Sequence, residues 1–396
     1  MSTRNLIVLF LCQLISATGT IVLVTLGGII GSSLSSNPAL ATLPVSMMVV
    51  SVAATTIPAS MLMRRVGRRA GFAMASMSAA ISVLLAAHAL QEVSFGWFIL
   101  SAAVFGINMA FGQQYRYAAA ESVAPRYAGR AISLVLLGAI GGAFLGPELV
   151  SRGAGWSDTP YVGTLLCLAV LYVTQSLLFA FLRPLRGEQE GDISGVGRPL
   201  AEIVRQPLFI VSVLCGTAAY GVMTLIMTAT PLSMHINDGY TLDETARVIR
   251  SHVVAMYLPS LVSGFLLERV GSVRLVTVGA VALLAASLVG LQGHSMMHYW
   301  WALVLLGVGW NFLYIGGTTM LTLTYTMEER FRAQAVNEFS VFGTSATASL
   351  LAGTVIHLYG WYTLVLLPLP LLIVTLISLY FVRGNPLLRK VAPQAA

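Results

Sequence analysis

Charge is scarce in this sequence. Of its 396 residues only 9% are Asp, Glu, Lys or Arg, against about 25% in a soluble protein, and that deficit excludes a soluble domain. Lysine is almost missing: among 22 basic residues only Lys390 is one, which we attribute to codon bias. The three cysteines, Cys12, Cys167 and Cys215, fall inside apolar runs, are odd in number and imply no disulfide framework. No Gly-x-x-x-x-Gly-Lys-Ser/Thr phosphate loop is present, so ATP is not the expected driving force. No serine or cysteine nucleophile is placed beside a base, so no enzyme and no cofactor are expected.

What the sequence has is long apolar runs. Hydrophobic residues make up 57% of it and the mean hydropathy is +0.83. The runs are continuous over about 20 residues, whereas strands of an outer-membrane barrel alternate over about 10. Twelve spanning helices need roughly 240 residues and leave about 150 for loops and tails. The expected segments are 5–27, 40–63, 71–91, 95–118, 129–151, 160–183, 206–230, 243–267, 273–293, 298–322, 334–357 and 361–383. The first is too long for a signal-peptide core and is read as a helix.

The fold class expected is therefore an all-α membrane protein, with twelve transmembrane helices in two pseudo-symmetric six-helix bundles. The bundles are 1–183 and 206–396, joined by a polar linker over 184–205. The net charge of +7 does not point to nucleic acid, because the basic residues sit in short loops and form no stripe. Nearly all of them, from Arg4 and Arg64 to Arg383 and Lys390, fall on one side of the map, leaving Arg152, Arg247 and Arg250 on the other. Positive residues favour the cytoplasmic side, so both termini and the linker are expected there, in a bacterial inner membrane.

The halves repeat. Met47 to Gly67 aligns without a gap on Ser251 to Gly271 at an offset of 204, placing Arg65 on Arg269 and Gly67 on Gly271. Gly106-Ile107-Asn108 matches Gly309-Trp310-Asn311 at 203, and Arg130-Ala131 matches Arg332-Ala333 at 202. Parallel repeats about an axis along the membrane normal belong to alternating-access carriers, with the substrate near the midplane.

Ser60-Met61-Leu62-Met63-Arg64-Arg65-Val66-Gly67-Arg68-Arg69 resembles the loop signature of the major facilitator superfamily, Gly-x-x-x-Asp-Arg-x-Gly-Arg-Arg. It has Ser60 for the glycine and Arg64 for the acid. The second copy keeps Gly264, Glu268, Arg269 and Gly271. Arg65, Gly67, Arg68, Glu268 and Arg269 are thus candidates for a conformational loop, in which arginines bond helix-end carbonyls or a carboxylate and glycine permits the turn. Positive-inside anchoring alone accounts for the same arginines.

Charge within the membrane is costly and comes first in a search for chemistry. Glu148, Glu338 and the neighbours Arg116 and Glu121 lie near segment ends, and each reads as an end-of-helix or inter-helix pair, so no proton relay is evident. Soft ligands are more telling. Among 16 Met only Met223 and Met227 stand four apart, and among 6 His only His252 is followed four later by a Met, Met256. Spacing of four puts both side chains on one helix face. Thioether and neutral imidazole suit Cu(I), and the two pairs fall on sequential antiparallel segments at overlapping depth. Three thioethers and one imidazole leave the ion its single charge. Against this, roughly 0.6 such Met pairs arise by chance, and Met fills membrane cores well.

These pairs, with Thr228-Ala229-Thr230-Pro231-Leu232, Gly309-Trp310-Asn311-Phe312-Leu313, Gly316-Gly317-Thr318-Thr319 and Gln114-Tyr115-Arg116, resemble the CcoA-type copper importers, a bacterial branch of that superfamily. The resemblance implies a metal site of Met223, Met227, His252 and Met256. It implies copper as transported substrate, supplying cbb3-type cytochrome oxidase. The expected partners are copper, the lipid bilayer and a copper chaperone, and the expected state is a monomer. Related branches without these motifs include riboflavin transporters. At the offset of 204 Met48 is the counterpart of His252, making Met47 or Met48 an accessory ligand. Met234, His235, His294 and His298 are candidates for capture at the outer side, and Cys215 for onward transfer or simple core filling. The alternative within the class is a carrier of an organic solute, riboflavin, a drug or a metal chelate, with Met merely lining the cavity. Outside it stands a membrane assembly or sensor protein.

Overall fold

The computed structural model describes residues 3–35, 40, 43–153, 155–185 and 197–389, and every regular element among them is helical. Lys390 and the linker residues 186–196 lie outside the described residues. The helices are α1 (Thr3–Leu34), α2 (Leu43–Gln91), α3 (Phe95–Gly112), α4 (Tyr115–Glu121), α5 (Ala128–Gly153), α6 (Val162–Phe179) and α7 (Leu200–Val204). They continue with α8 (Pro207–Pro231), α9 (Leu242–Tyr257), α10 (Ser260–Val270), α11 (Ser272–Gly290), α12 (Met296–Leu321), α13 (Arg330–Leu366), α14 (Leu369–Val382) and α15 (Pro386–Arg389).

Ten continuous stretches among the described residues are long and apolar enough to cross a membrane. Two of them are double. Gly67 interrupts α2 with φ 82° and ψ 162°, and Gly360 interrupts α13 with φ 76° and ψ 179°. Counting each as two gives the twelve crossings expected. The structure replaces the loops expected at 64–70 and 358–360 by single glycines, because a residue without Cβ reverses the chain where any other would be strained.

The chain divides into two compact units, Met1–Val123 with Leu134–Ile193, and Ala124–Ser133 with Ser194–Ala396. Ala124–Ser133 belongs with the second unit for a physical reason. A methyl group on Gly264 would stand 2.9 Å from the Arg130 Cα, and Arg130 pairs with Glu268 at 2.5 Å. In the first unit α2 packs on α3 and α6, around a core that includes Val22, Leu26, Val83, Phe105, Leu168 and Tyr172. In the second unit α12 is central, packed by α8, α9 and α11. Small residues let the backbones approach: Gly309 faces the Gly279 carbonyl and Gly317 faces Cys215.

The described end of the linker is clamped to the second unit. The Arg198 guanidinium holds the Glu329 carboxylate at 2.7 and 2.8 Å, and its backbone N–H donates to the same group at 2.8 Å. Arg198 and Gln206 both donate to the Thr324 carbonyl. Arg198, with the Thr326 N–H, holds the Glu329 carboxyl down at about 2, below its ordinary 4.5. A depressed carboxyl contributes stability above its unfolded value that is lost as pH falls through the folded one. The second unit is therefore expected to lose stability between about pH 4.5 and pH 2. In unfolding melts across that window Glu329→Gln should remove much of the slope; an identical slope in both proteins would refute the assignment.

Candidate functional site

The helices that carry the sequence-predicted residues, α8 and α9, flank one helix, α12, and His252 and Met256 stand against it. Both helices pack on it and touch each other far less. α8 ends at Pro231 and continues as a π-helical turn, Leu232–Asn237. α9 starts from a capping box in which the Thr241 Oγ accepts from the Glu244 N–H at 3.2 Å, and Glu244 accepts from the Thr241 N–H at 2.9 Å. These Thr241 bonds hold the Glu244 carboxyl below its ordinary range.

His252 is fully buried on α9. Its Nδ1 lies 2.7 Å from the Leu303 carbonyl of α12, while its Nε2 has no partner. A carbonyl only accepts, so Nδ1 carries a proton, and in the neutral ring Nε2 keeps a buried lone pair. That is the tautomer a metal or a hydrogen-bond donor requires. Met256, one turn on, is 6% exposed; Met223 on α8 is 8% exposed and Met227 half-buried. Among the described residues no group of three or more His, Cys, Asp or Glu can hold a metal ion.

Gly307 of α12 lies beneath this segment. A methyl group there would stand 2.7 Å from the His252 carbonyl oxygen and 2.8 Å from the Met256 nitrogen. The expected outcome for Gly307→Ala is displacement of α9 at a cost of about 1–3 kcal/mol. Unfolding of the purified protein checks it, and an unchanged midpoint would contradict the packing.

An aromatic wall, not anticipated from the sequence, adjoins the segment. Trp310 stacks on Tyr314 at 4.8 Å and 24°, and the Tyr257 ring meets it edge-on at 5.6 Å. Tyr220 of α8 packs against Trp310, Tyr314 and, at 5.0 Å, Phe342 of α13. Tyr220 and Tyr257 are half-buried, whereas Trp310 is 1% exposed and its Nε1 has no acceptor. The signal in the sequence was Trp310 and Tyr314 four apart, with Tyr220 three residues before Met223.

The other candidates lie elsewhere. Met48 is packed in the apolar core of the first unit, 2% exposed. His235 bonds the Tyr240 carbonyl at 2.7 Å and His298 the Ser295 hydroxyl at 2.9 Å. His294 reaches Asp238 at 3.0 Å, and Asp238 also accepts from the Tyr299 hydroxyl at 2.6 Å. His294 thus links two loops, whereas His235 and His298 bond within their own segments. Cys215 is fully buried against α12, as a small core residue is.

The sequence profile of the Major Facilitator Superfamily matches residues 9–249 and 251–396. The chain belongs to the major facilitator superfamily. It is 37% identical over 382 residues to the riboflavin transporter RfnT of Brucella anthropi, covering 95% of each chain. To the MFS-type transporter YddS of Bacillus subtilis it is 28% identical over 400 residues, covering 96% of this chain and 91% of the relative. The crystal structure of the human organic anion transporter MFSD10 superposes with a TM-score of 0.77, covering 95% of this chain and 99% of that one at 14% identity. The Escherichia coli fucose:proton symporter FucP does so with 0.73, 94% and 97%, at 15% identity. At such identities the structures establish the fold alone.

The superfamily loop signature takes a definite form here. Gly67 and Gly271 adopt the same conformation, φ 82° with ψ 162° and 159°, so the repeat extends to the backbone. Arg64, Arg65, Arg69 and Arg269 are exposed, whereas Arg68 is fully buried. Its guanidinium holds the Glu121 carboxylate at 2.6 and 2.8 Å. Glu121 thus pairs with α2, while its sequence neighbour Arg116 lies over the Tyr117 ring. Glu148 pairs with Arg152 at the end of α5. This major facilitator chain is a multi-pass carrier by family and fold.

Proposed function

We propose that the chain is a secondary transporter of a planar heteroaromatic solute of the riboflavin kind. It runs inward across a bacterial cytoplasmic membrane by alternating access, with both termini cytoplasmic. The full-length 37% identity to a riboflavin transporter carries this reading. The wall of Tyr220, Tyr257, Trp310 and Tyr314 gives it a physical basis, since aromatic faces bind flat rings by offset or edge contacts worth about 0.5–1.5 kcal/mol each. The Trp310 Nε1–H can donate to a ring carbonyl and the His252 Nε2 can accept from a ring N–H. The test is uptake of labelled riboflavin into vesicles bearing the purified chain. Tyr220→Leu and Tyr257→Leu are each expected to raise KM about fivefold to tenfold; equal KM values in all three proteins would remove the aromatic wall from the pathway.

A second reading keeps copper as the substrate. The observation that favours it is the His252 imidazole, buried and locked with its Nε2 lone pair unused. Met223, Met227 and Met256 would complete the neutral donor set, and copper would pass to a chaperone on the way to cytochrome oxidase. Parallel uptake of copper kept reduced by ascorbate separates the two readings in the same vesicles.

A further inference from the structure

The crossing that carries His252 has its hydrogen-bond ladder interrupted at Pro259 while the backbone stays helical, and one side chain bridges the interruption. α9 ends at Tyr257 and α10 resumes at Ser260. Pro259 has no N–H for the Ala255 carbonyl, so the helical ladder cannot run through. Beyond it Leu261 donates to the Leu258 carbonyl at 3.1 Å, a tighter turn. Into this gap reaches Asn311 of α12, fully buried. Its Nδ2 donates to the Met256 carbonyl at 2.7 Å and to the Ser260 hydroxyl at 2.7 Å, while its Oδ1 accepts from the Ser263 hydroxyl at 3.0 Å. One amide therefore ties the last turn of α9 to the first turn of α10.

The repeat supplies an internal comparison. Asn108 is the counterpart of Asn311, and α2 is the counterpart of the interrupted crossing. In the first unit Gly106 matches Gly309 in sequence, yet it lies under the Met48 carbonyl as Gly307 lies under that of His252, so the packing of the two helix pairs is shifted by about two residues from the sequence register. There α2 carries its proline three residues further on, at Pro58, and the Asn108 Oδ1 is buried with no partner. Both units interrupt this crossing with a proline, and the bridge by an asparagine from the neighbouring helix is described in the second, next to the residues that both functional readings use.

We propose that Asn311 is a positioning residue for the substrate-facing end of α9. Acting through the Met256 carbonyl, it sets where His252, Met256 and Tyr257 stand against α12, and Pro259 makes the end of α9 separable from α10. Irregular backbone within a membrane protein is tolerated where it is buried in protein or lines a cavity. The proposal rests on the reading that these three residues face the solute, and holds whether the solute is a flavin or copper.

The test is uptake by purified full-length protein in lipid vesicles, with riboflavin and with ascorbate-reduced copper as probes. Asn311→Asp keeps the shape and the Ser263 bond but loses the donor to the Met256 carbonyl; Asn311→Ala loses all three bonds. Both are expected to raise KM about tenfold for the probe that wild type carries, with kcat within about twofold, since a lost buried hydrogen bond amounts to roughly one factor of ten. Asn108→Ala is expected to move KM by less than about twofold. A merely structural role would lower the amount of folded protein and leave KM where it is, and that result overturns the proposal.

Two controls separate it from the site reading. If His252→Leu and Tyr257→Leu leave KM unmoved, the site reading has failed; if they raise it and Asn311→Asp does not, positioning alone is overturned. Hydrogen exchange needs no solute. Amides over 255–261 are expected to exchange about tenfold faster in Asn311→Asp than in wild type, and equal rates overturn the proposal.

Discussion

Replacing Arg68 by Met is expected to destabilise the first unit by about 3–5 kcal/mol, enough to abolish most of the folded protein. The reason is the charge left behind. Arg68 is fully buried, and the Glu121 side chain it holds through two bonds is 6% exposed. Removing the cation strands a carboxylate in an environment with little water, whereas removing both charges does not. The double variant Arg68→Met/Glu121→Met should therefore recover most of the loss. Arg68→Lys should not, because an ammonium lacks the planar fork that gives each carboxylate oxygen its own parallel hydrogen bond. Chemical unfolding of the detergent-solubilised chain measures this cycle. A single variant within about 1 kcal/mol of wild type would mean that water or another cation reaches Glu121.

His252→Leu and His252→Gln should act very differently on the two solutes. For copper the imidazole is itself a ligand. Loss of a group that only supports a ligand costs 10–100-fold in metal affinity, so removing the ligand should reduce uptake at least about 100-fold, and Gln, a hard oxygen donor, should not restore it. For a flavin, Nε2 offers a single hydrogen bond worth about 1 kcal/mol. Leu should then raise KM about fivefold, and Gln, which can still accept, should recover much of that. The size of the effect and the response to Gln together identify the solute. Riboflavin uptake unaffected by either variant would take His252 out of the flavin pathway, and copper uptake unaffected by either would end the copper reading.

Much of the architecture was legible in the sequence, because twelve apolar runs and a positional repeat are local signals. Gly67 and Gly271 were marked by the repeat and share one backbone conformation. What the sequence did not give were contacts between distant segments. Arg68 stood in the loop whose arginines were expected to bond helix-end carbonyls or a carboxylate, with anchoring as the alternative; which carboxylate was not legible, because it lies 53 residues away, and Arg68 is buried where the chain turns sharply at Gly67. Met48 aligned with His252, yet it is sealed into an apolar core while His252 binds a carbonyl across α12. Alignment carries over backbone position, not side-chain surroundings. The aromatic wall draws on four helices, and no single stretch announces it. The pairs of Met223 with Met227 and of His252 with Met256 were legible as spacing, but spacing says nothing of whether α8 and α9, which pack on α12 more than on each other, bring the two pairs together.

The interrupted crossing has a consequence for how the protein is made. α9 has 16 residues and α10 has 11, so at 1.5 Å per residue they measure about 24 Å and 16 Å, and neither alone matches a hydrocarbon core of about 30 Å. The two must enter the membrane as one segment. Asn311, which bridges them, is synthesised 55 residues after Met256 and arrives only with α12. During synthesis the carbonyls at the break have no such partner, so this segment reaches its final form late, when a helix inserted afterwards has packed against it.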